Sequence, residues 1–478
     1  MQRASRNVHW LRECLLFNLR TDVGEQAFMS VTAVILAAGQ GSRMRSSQPK
    51  VLHPLLGKPM ASYALETARQ VTGSQPVMIV GYEADLVRQA LGTTAKYVLQ
   101  QQQLGTGHAL QQAEELLRGA SDMVLVTAAD MPLLTKDTLQ NLVGAQQLNS
   151  GPISMLTVVS DDPRGFGRVV RSASGEVQAI VEEVQATPEQ LQIRELNAGV
   201  YCFAADWLWS ALKRIPLSPK GEYYLTDLIG IAVADGLSIQ AIPIDDPNET
   251  IGINTRAHLA EAEAMLRRKI NHHWMLAGVT LIDPLSAYIE PDVTIGQDTV
   301  IWPNTFLQGT TAIGEGCNIG PNAIVRDSKL GDRCEVLASV MERAELEDDV
   351  EIGPFAHLRS GAHLAQGVHM GNFGEVKNSY LGPGTKMGHF SYIGDAQIGS
   401  QVNIGAGTIT CNYDGEKKHP TEIGARVFIG SDTMLVAPVK LGDGSRTGAG
   451  SVVTKNVPEN TLVVGIPARA IKKLGKRD

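Results

Sequence analysis

The sequence predicts two architectures in series: an α/β domain built on a parallel sheet and, beyond a connecting helix, a parallel β-helix. Three observations lead there. Apolar runs of the buried-strand kind alternate with helical stretches over the front half. A segment free of Gly and Pro, Thr255–Ala277, follows with helical periodicity. From Thr294 an aliphatic residue then recurs at every sixth position: Ile295, Ile301, Leu307, Ile313, Ile319 and Val325. The count resumes at Ile423 with Ile429, Leu435, Leu441 and Val453, with Thr447 in the intervening slot. A period of six fits neither a helix (about 3.6) nor one continuous strand (about 2), but it fits short strands stacked in a coil with a turn at each corner.

A chain of 478 residues has room for two or three domains. Its 43% hydrophobic and 19% charged content is that of a globular protein. The 48 glycines suit tight repeats with small corner residues. A net charge of -8 leaves no basic footprint for nucleic acid. No apolar run reaches membrane-spanning length, so no membrane partner is expected. Five scattered cysteines without CxxC spacing argue against a disulfide framework or a zinc site and for a reducing, cytoplasmic setting.

The elements follow in order. Met1–Phe28 carries four arginines but also Glu13, Asp22 and Glu25, and it lacks the apolar stretch of a targeting peptide. The expectation is a disordered extension, or a true start at Met29. Thr32–Leu36 reads as a buried parallel strand. It breaks into Ala37-Ala38-Gly39-Gln40-Gly41-Ser42-Arg43-Met44 and then Pro49-Lys50. The glycines permit close backbone approach to an anion, and Arg43 and Lys50 add fixed positive charge. The loop lacks the third glycine of a dinucleotide fingerprint and the GK[ST] of a Walker loop. The complete string LAAGxGSRM…PK resembles the signature of sugar-nucleotide pyrophosphorylases, which join a nucleoside triphosphate to a sugar 1-phosphate.

Val77–Val80 and Met123–Thr127 are further buried-strand candidates, giving a βαβ reading. Asp130 directly follows the second of these. There, at the carboxyl end of a strand beside a phosphate loop, it is placed to ligate Mg²⁺, which prefers hard oxygens. The structural alternative is a helix N-cap, with Pro132 opening the helix. Gln100, with the turn Leu104–Ala109, offers groups for a uracil edge. Gly165–Arg168, Glu182, Asn197 and Gly221–Asp227 offer groups for a sugar, and Gly252-Ile253-Asn254 ends this half with a second metal-type donor.

Thr255–Ala277 is expected to be a helix with Thr255 as N-cap, Leu259, Ala262, Leu266 and Ile270 along one face, and Gly278 just past its end. In the coil that follows, Ile423 stands thirteen positions after Thr410 instead of the regular six. The surplus, Cys411–Thr421, must leave the coil as a polar loop. His389 lies in Gly388-His389-Phe390-Ser391-Tyr392-Ile393-Gly394-Asp395. An imidazole with an ordinary pKa of about 6.5 can take a proton from an amine during acyl transfer.

Residues 29–475 resemble the bacterial bifunctional N-acetylglucosamine-1-phosphate uridylyltransferases/glucosamine-1-phosphate N-acetyltransferases. The resemblance implies a Rossmann-like nucleotidyltransferase domain (29–255), a linker helix (256–277) and a left-handed β-helix acetyltransferase domain (278–478) that associates as a homotrimer. It implies UTP, glucosamine 1-phosphate, N-acetylglucosamine 1-phosphate and acetyl-CoA as partners, with Mg²⁺. Carried over, Leu36, Ala37, Ala38, Gly39 and Lys50 would hold the nucleotide, with Arg43 and Lys50 neutralising charge. Gln100, Gly105, Thr106, Ala128 and Ala129 would contact UTP or its product. Gly167, Glu182 and Asn197 would bind the sugar, and Asp130 with Asn254 the metal. In the coil His389 would be the base. Arg359, Lys377, Tyr392 and Asn403 would bind glucosamine 1-phosphate, and Ala406, Asn412, Tyr413, Ser431 and Ala449 would line the acetyl-CoA groove. Three positions depart from the family pattern: Ala129, the stretch Glu183-Val184-Gln185, and Ile466, for which Arg469 is a candidate substitute. The rival readings are a single-activity pyrophosphorylase with a regulatory or trimerising β-helix, and a hexapeptide-type metalloprotein using His357, His363, His369 and His389.

Overall fold

The computed structural model describes residues 29–163 and 165–474; the expectations for Met1–Phe28 lie outside them. The apolar run after Met29 forms the strand Val31–Ala37, which pairs in parallel with Val77–Val80 on one side and Met123–Ala128 on the other. The sheet continues from Val77–Val80 to Lys96–Leu99. Beyond Met123–Ala128 it continues through antiparallel Glu195–Ala204 to Ile153–Val159 and Ile239–Pro243. The chain therefore leaves the first strand in both lateral directions, which opens a crevice at the carboxyl ends of Val31–Ala37 and Met123–Ala128. Apolar clusters cover both faces of the sheet, consistent with the nearly unbroken hydrophobicity of these strands.

The connecting helix spans Arg256–Leu276. Its N-cap is Thr255, whose Oγ1 accepts the His258 amide at 3.2 Å. Gly278 follows at φ +94°, a left-handed value suited to glycine. Leu259, Ala262 and Leu266 pack on Met44, Leu55, Met60 and Ile253 of the front half, whereas Ile270 and Trp274 pack on the coil core. One helix thus seals two cores. No helix among the described residues is long and apolar enough to cross a membrane.

The coil is a three-faced prism of short parallel strands. Its first face begins at Thr280–Leu281, its second at Tyr288–Ile289 and its third at Thr294–Ile295. Three sides of six residues make one turn, so Ile295 stacks on Ile313, Ile301 on Ile319 and Leu307 on Val325. Those side chains form one buried column along the axis. Burial of each branched aliphatic contributes roughly 1.5–3 kcal/mol, and that repeated term holds the prism together. Thr447 occupies its slot in the column, with Oγ1 3.0 Å from Thr433 Oγ1, so the two hydroxyls satisfy each other. Between residues 326 and 422 the spacing falls to five at Leu330, Met341, Leu346, Leu381 and Ile398, all of them still buried. The antiparallel strand Arg469–Lys473 closes the far end of the first face.

Candidate active sites

The crevice at the carboxyl ends of the sheet is a cavity of about 520 Å³. The glycine loop, the turn around Asp130 and the segment before the connecting helix build its floor. Lys50 enters it from a single 3₁₀ turn, Lys50–Leu52. Its ammonium donates to Asp130 Oδ2, and also to Asn254 Oδ1 at 3.1 Å. Gly41, at φ +69°, is fixed by the same lysine, because a Cβ there would come within 2.5 Å of Lys50 Cβ. A carboxylate and an amide oxygen therefore converge on one cationic nitrogen. These are hard oxygen donors of the kind Mg²⁺ selects, so the pair fits that ion. Asp130 caps no helix; the next one, Lys136–Leu148, is capped by Thr135.

Of the residues expected at the nucleotide, Leu36, Ala37, Ala38, Gly39, Lys50, Gln100, Gly105, Thr106, Ala128, Asp130 and Asn254 line this cavity, as do Glu182 and Asn197, which are expected at the sugar. Gln100 is buried, with its amide nitrogen held by Gly105 O (3.1 Å) and His108 Nδ1 (3.0 Å). A bulge in Glu195–Ala204, with Gly199 at φ +75°, turns Asn197 inward, where its Oδ1 accepts the Gly199 amide at 3.1 Å. Burial raises the Glu182 carboxyl above its ordinary range, and neighbouring Asp227 adds to this, against a 3.3 Å hydrogen bond from Thr226.

Three expected residues stand outside the cavity lining. Ala129, in the turn just past the strand Met123–Ala128, is fully buried in the core, so its side chain faces away from the crevice. Gly167 lies beside the cavity and accepts the Asn197 amide through its carbonyl at 2.9 Å. Arg43 is exposed on the 3₁₀ turn Ser42–Met44. In the second departure Glu183 forms a 3.0 Å ion pair with buried Arg168, while Val184 is exposed.

The second residue set divides between two edges of the prism. His389 is exposed at the corner between the first and second faces, after Lys386–Met387 and before Ser391–Gly394. Successive coils place Ala406, Ser431 and Ala449 at the same corner. Backbone hydrogen bonds from Gly407 N to Phe390 O (2.7 Å), Asp432 N to Ala406 O (2.7 Å) and Gly450 N to Ser431 O (2.8 Å) record the stacking. The column is a track of small side chains rising from the imidazole. Ile466, in the next corner turn, is exposed, and Arg469 begins the closing strand. Asn403 lies on the first face, in register with Lys386.

Arg359, Lys377 and Tyr392 belong to the second face, with Arg359 and Lys377 toward its far edge. At that edge the loop after Ile409–Cys411 protrudes. Asn412 is buried and donates to Asp395 Oδ2, while Tyr413 is exposed. Gly394 has no room for a side chain, because a Cβ would strike Tyr392 Oη and Asn412 Nδ2. Sequence reasoning missed Lys418 here. Its contact and charge, with Arg359 beyond, hold the Lys377 amine below its ordinary range. Arg359 is itself paired with Glu375 at 2.9 Å, so Lys377 and Lys418 are the crowded pair that favours an anion. The signal was available, since Lys417-Lys418 is the basic step inside the inserted loop.

The histidines of the metalloprotein reading do not converge within one chain. His357, His363 and His369 fall on the second, third and first faces respectively, each beside a glutamate. Among the described residues no group of three metal-type side chains is found.

Comparison with known families and proteins gives a consistent result. The MobA-like NTP transferase domain family matches residues 33–222. The hexapeptide repeat of succinyl-transferase matches residues 310–340, and the bacterial transferase hexapeptide family matches residues 420–455, as a left-handed parallel β-helix requires. The bifunctional protein GlmU of Heliobacterium modesticaldum is 46% identical over 449 residues, covering 93% of this chain and 98% of its own. That of Trichlorobacter lovleyi is 46% identical over 453 residues with the same two coverages. That of Streptococcus agalactiae is 43% identical over 448 residues, covering 94% of this chain and 97% of its own.

Proposed function

We propose, from the premise that this chain belongs to the bifunctional GlmU family, a division of labour between its two halves. The chain makes UDP-N-acetylglucosamine through an acetyltransferase and a uridylyltransferase activity. Residues 278–478 acetylate glucosamine 1-phosphate, residues 29–255 couple the product to UTP, and residues 256–277 link the two.

In the acetyl transfer, His389 takes the proton from the sugar amine as its nitrogen attacks the thioester carbonyl, and the C–S bond breaks to release coenzyme A as the thiolate, which takes that proton from the imidazolium. Arg359, Lys377 and Lys418 hold the sugar phosphate, with Tyr392 and Asn403 orienting the ring. The small-residue track Ala406, Ser431 and Ala449 receives the acetyl-CoA arm, with Asn412 and Tyr413 nearby. In the uridylyl transfer, a phosphate oxygen of the sugar phosphate attacks the α-phosphorus of UTP and pyrophosphate leaves. Little covalent work falls to the protein, so positioning and charge neutralisation carry the rate. Lys50, the backbone amides of Ala38 and Gly39, and Arg43 meet the triphosphate. Gln100, Gly105 and Thr106 meet the base, and Glu182 and Asn197 the sugar. Asp130 and Asn254 would hold Mg²⁺, which supplies charge neutralisation on the phosphates. A homotrimer in the cytoplasm completes the reading.

The observation that supports the proposal is separation: the first residue set lines the cavity of the front half, the second lies on the prism, and the two share no side chain. Asp130→Ala should lower uridylyl transfer by at least roughly 100-fold and leave acetyl transfer intact. His389→Ala should do the reverse. Separate assays of each half-reaction on each purified variant decide it. Loss of both activities from either change, in a folded protein, refutes two independent sites.

A further inference from the structure

Lys50 is the first residue of a small unit whose far end touches the coil. After the 3₁₀ turn Lys50–Leu52 the chain forms a two-stranded hairpin, Pro54–Leu55 with Lys58–Pro59, closed by Leu56 and Gly57 at φ +42° and +81°. Its base is rigid. Met60 N donates to His53 O at 3.0 Å, Tyr63 Oη donates to Leu55 O at 2.8 Å, and Leu55 is fully buried beside Met44, Met60, Ile253 and Ala262. The His53 ring, itself buried, lies 3.2 Å from the Arg256 guanidinium, two residues from Asn254.

The tip is seated on the first turn of the prism. A Cβ at Gly57 would run into the Glu290 carboxylate, which also accepts the Gly309 amide of the next coil at 2.7 Å. Lys58 Nζ donates to Asp292 Oδ1 at 2.6 Å. Gly57 stands only seven positions after Lys50, so a shift of the tip is passed along a hydrogen-bonded strut to the lysine.

We propose that the first turn of the β-helix, through Glu290 and Asp292, acts as a positioning element for uridylyl transfer by fixing the hairpin that carries Lys50. This proposal rests on the reading of the front cavity as the uridylyltransferase site. It makes the coil a working part of the other half's catalysis as well as a catalyst in its own right. The Lys58–Asp292 pair is half-exposed, and such pairs contribute little to stability. Its effect is therefore sought in geometry.

The test uses the full-length chain with Lys58→Asp, Asp292→Lys and the exchange of both. Each single change places like charges at the tip and should lower kcat/KM for UTP by roughly tenfold, as small displacements of a charge-bearing group do. KM for N-acetylglucosamine 1-phosphate should move little, because the sugar groups lie at the other end of the cavity. Acetyl transfer should stay at the parental level in all three, and the double exchange should restore kcat/KM for UTP. Unchanged UTP kinetics in the single variants overturns the proposal. So does a loss that the exchange fails to restore, or one shared by acetyl transfer. Absence of UTP-dependent activity in the unmodified chain removes the underlying reading instead, and is seen before any substitution is made.

Discussion

At the residue scale the informative groups are those held against their ordinary chemistry. Glu182 is raised by burial first and by Asp227 second, which means that the folded state binds its proton more tightly than the unfolded chain does. The sign follows directly. Stability falls as pH rises from the ordinary carboxylate value of about 4.3 through the raised folded value, and the whole penalty is present above it. Glu182→Gln removes the penalty, so its melting temperature should exceed the parent's at pH 8. The difference should shrink toward pH 4, and KM for the sugar phosphate should rise. Thermal scans across that range check the first part; a variant that melts lower than the parent at pH 8 contradicts it. The pairing is what a binding site predicts: a carboxylate kept buried at a cost to stability because a ligand uses it. Lys50, Asp130 and Asn254 were read from motif order, Lys50 following the glycine loop, Asp130 following the strand Met123–Ala128, and Asn254 preceding the connecting helix. The burial of the Ala129 side chain was not legible, because the residue lies in the turn just past the strand Met123–Ala128, where the sequence does not say which way a side chain faces.

At the element scale the sixfold count was readable wherever every side of the prism keeps its full length. It was lost between residues 326 and 422 because several sides are one residue shorter, although Leu330, Met341, Leu346, Leu381 and Ile398 still fill the column. Packing tolerates a shortened corner provided that the inward residue keeps its register, whereas a fixed-period count does not. The inserted loop was legible for the opposite reason, since a surplus of polar residues has nowhere to go inside a solenoid. Its turn is pinned by Asp414, whose carboxylate accepts the Glu416 and Lys417 amides at 2.8 Å each and the His419 ring at 2.6 Å. Those hydrogen bonds hold the Asp414 carboxyl far below its usual range. Asp414→Ala should release the turn, speed tryptic cleavage after Lys417 or Lys418 several-fold and raise KM for acetyl-CoA, with uridylyl transfer unchanged. Asp414→Asn keeps an acceptor oxygen and should fall between. Equal cleavage rates for the parent and the alanine variant would show that the carboxylate does not order the loop.

At the scale of the whole molecule the acetyltransferase residues pose a geometric problem that one chain leaves open. His389 and the track Ala406, Ser431 and Ala449 stand at the corner between the first and second faces, whereas the loop Asn412–Pro420 leaves from the corner between the second and third. A cyclic assembly about an axis parallel to the prisms brings one kind of corner of each protomer against the other kind of its neighbour. If the homotrimer proposed above is built this way, each acetyl-transfer crevice takes its imidazole from one protomer and its loop from the next. Co-expression of His389→Ala with Tyr413→Ala, each strongly impaired alone, then has a quantitative outcome. Random mixing gives each crevice an even chance of an intact imidazole and an independent even chance of an intact loop, so about a quarter of the parental acetyl transfer returns. Mixing after separate purification should return none until the subunits exchange. Sites built within one protomer cannot complement at all, so acetyl transfer that stays at the level of the single variants in co-expressed, mixed assemblies rejects the shared crevice while leaving the assignment of His389 intact.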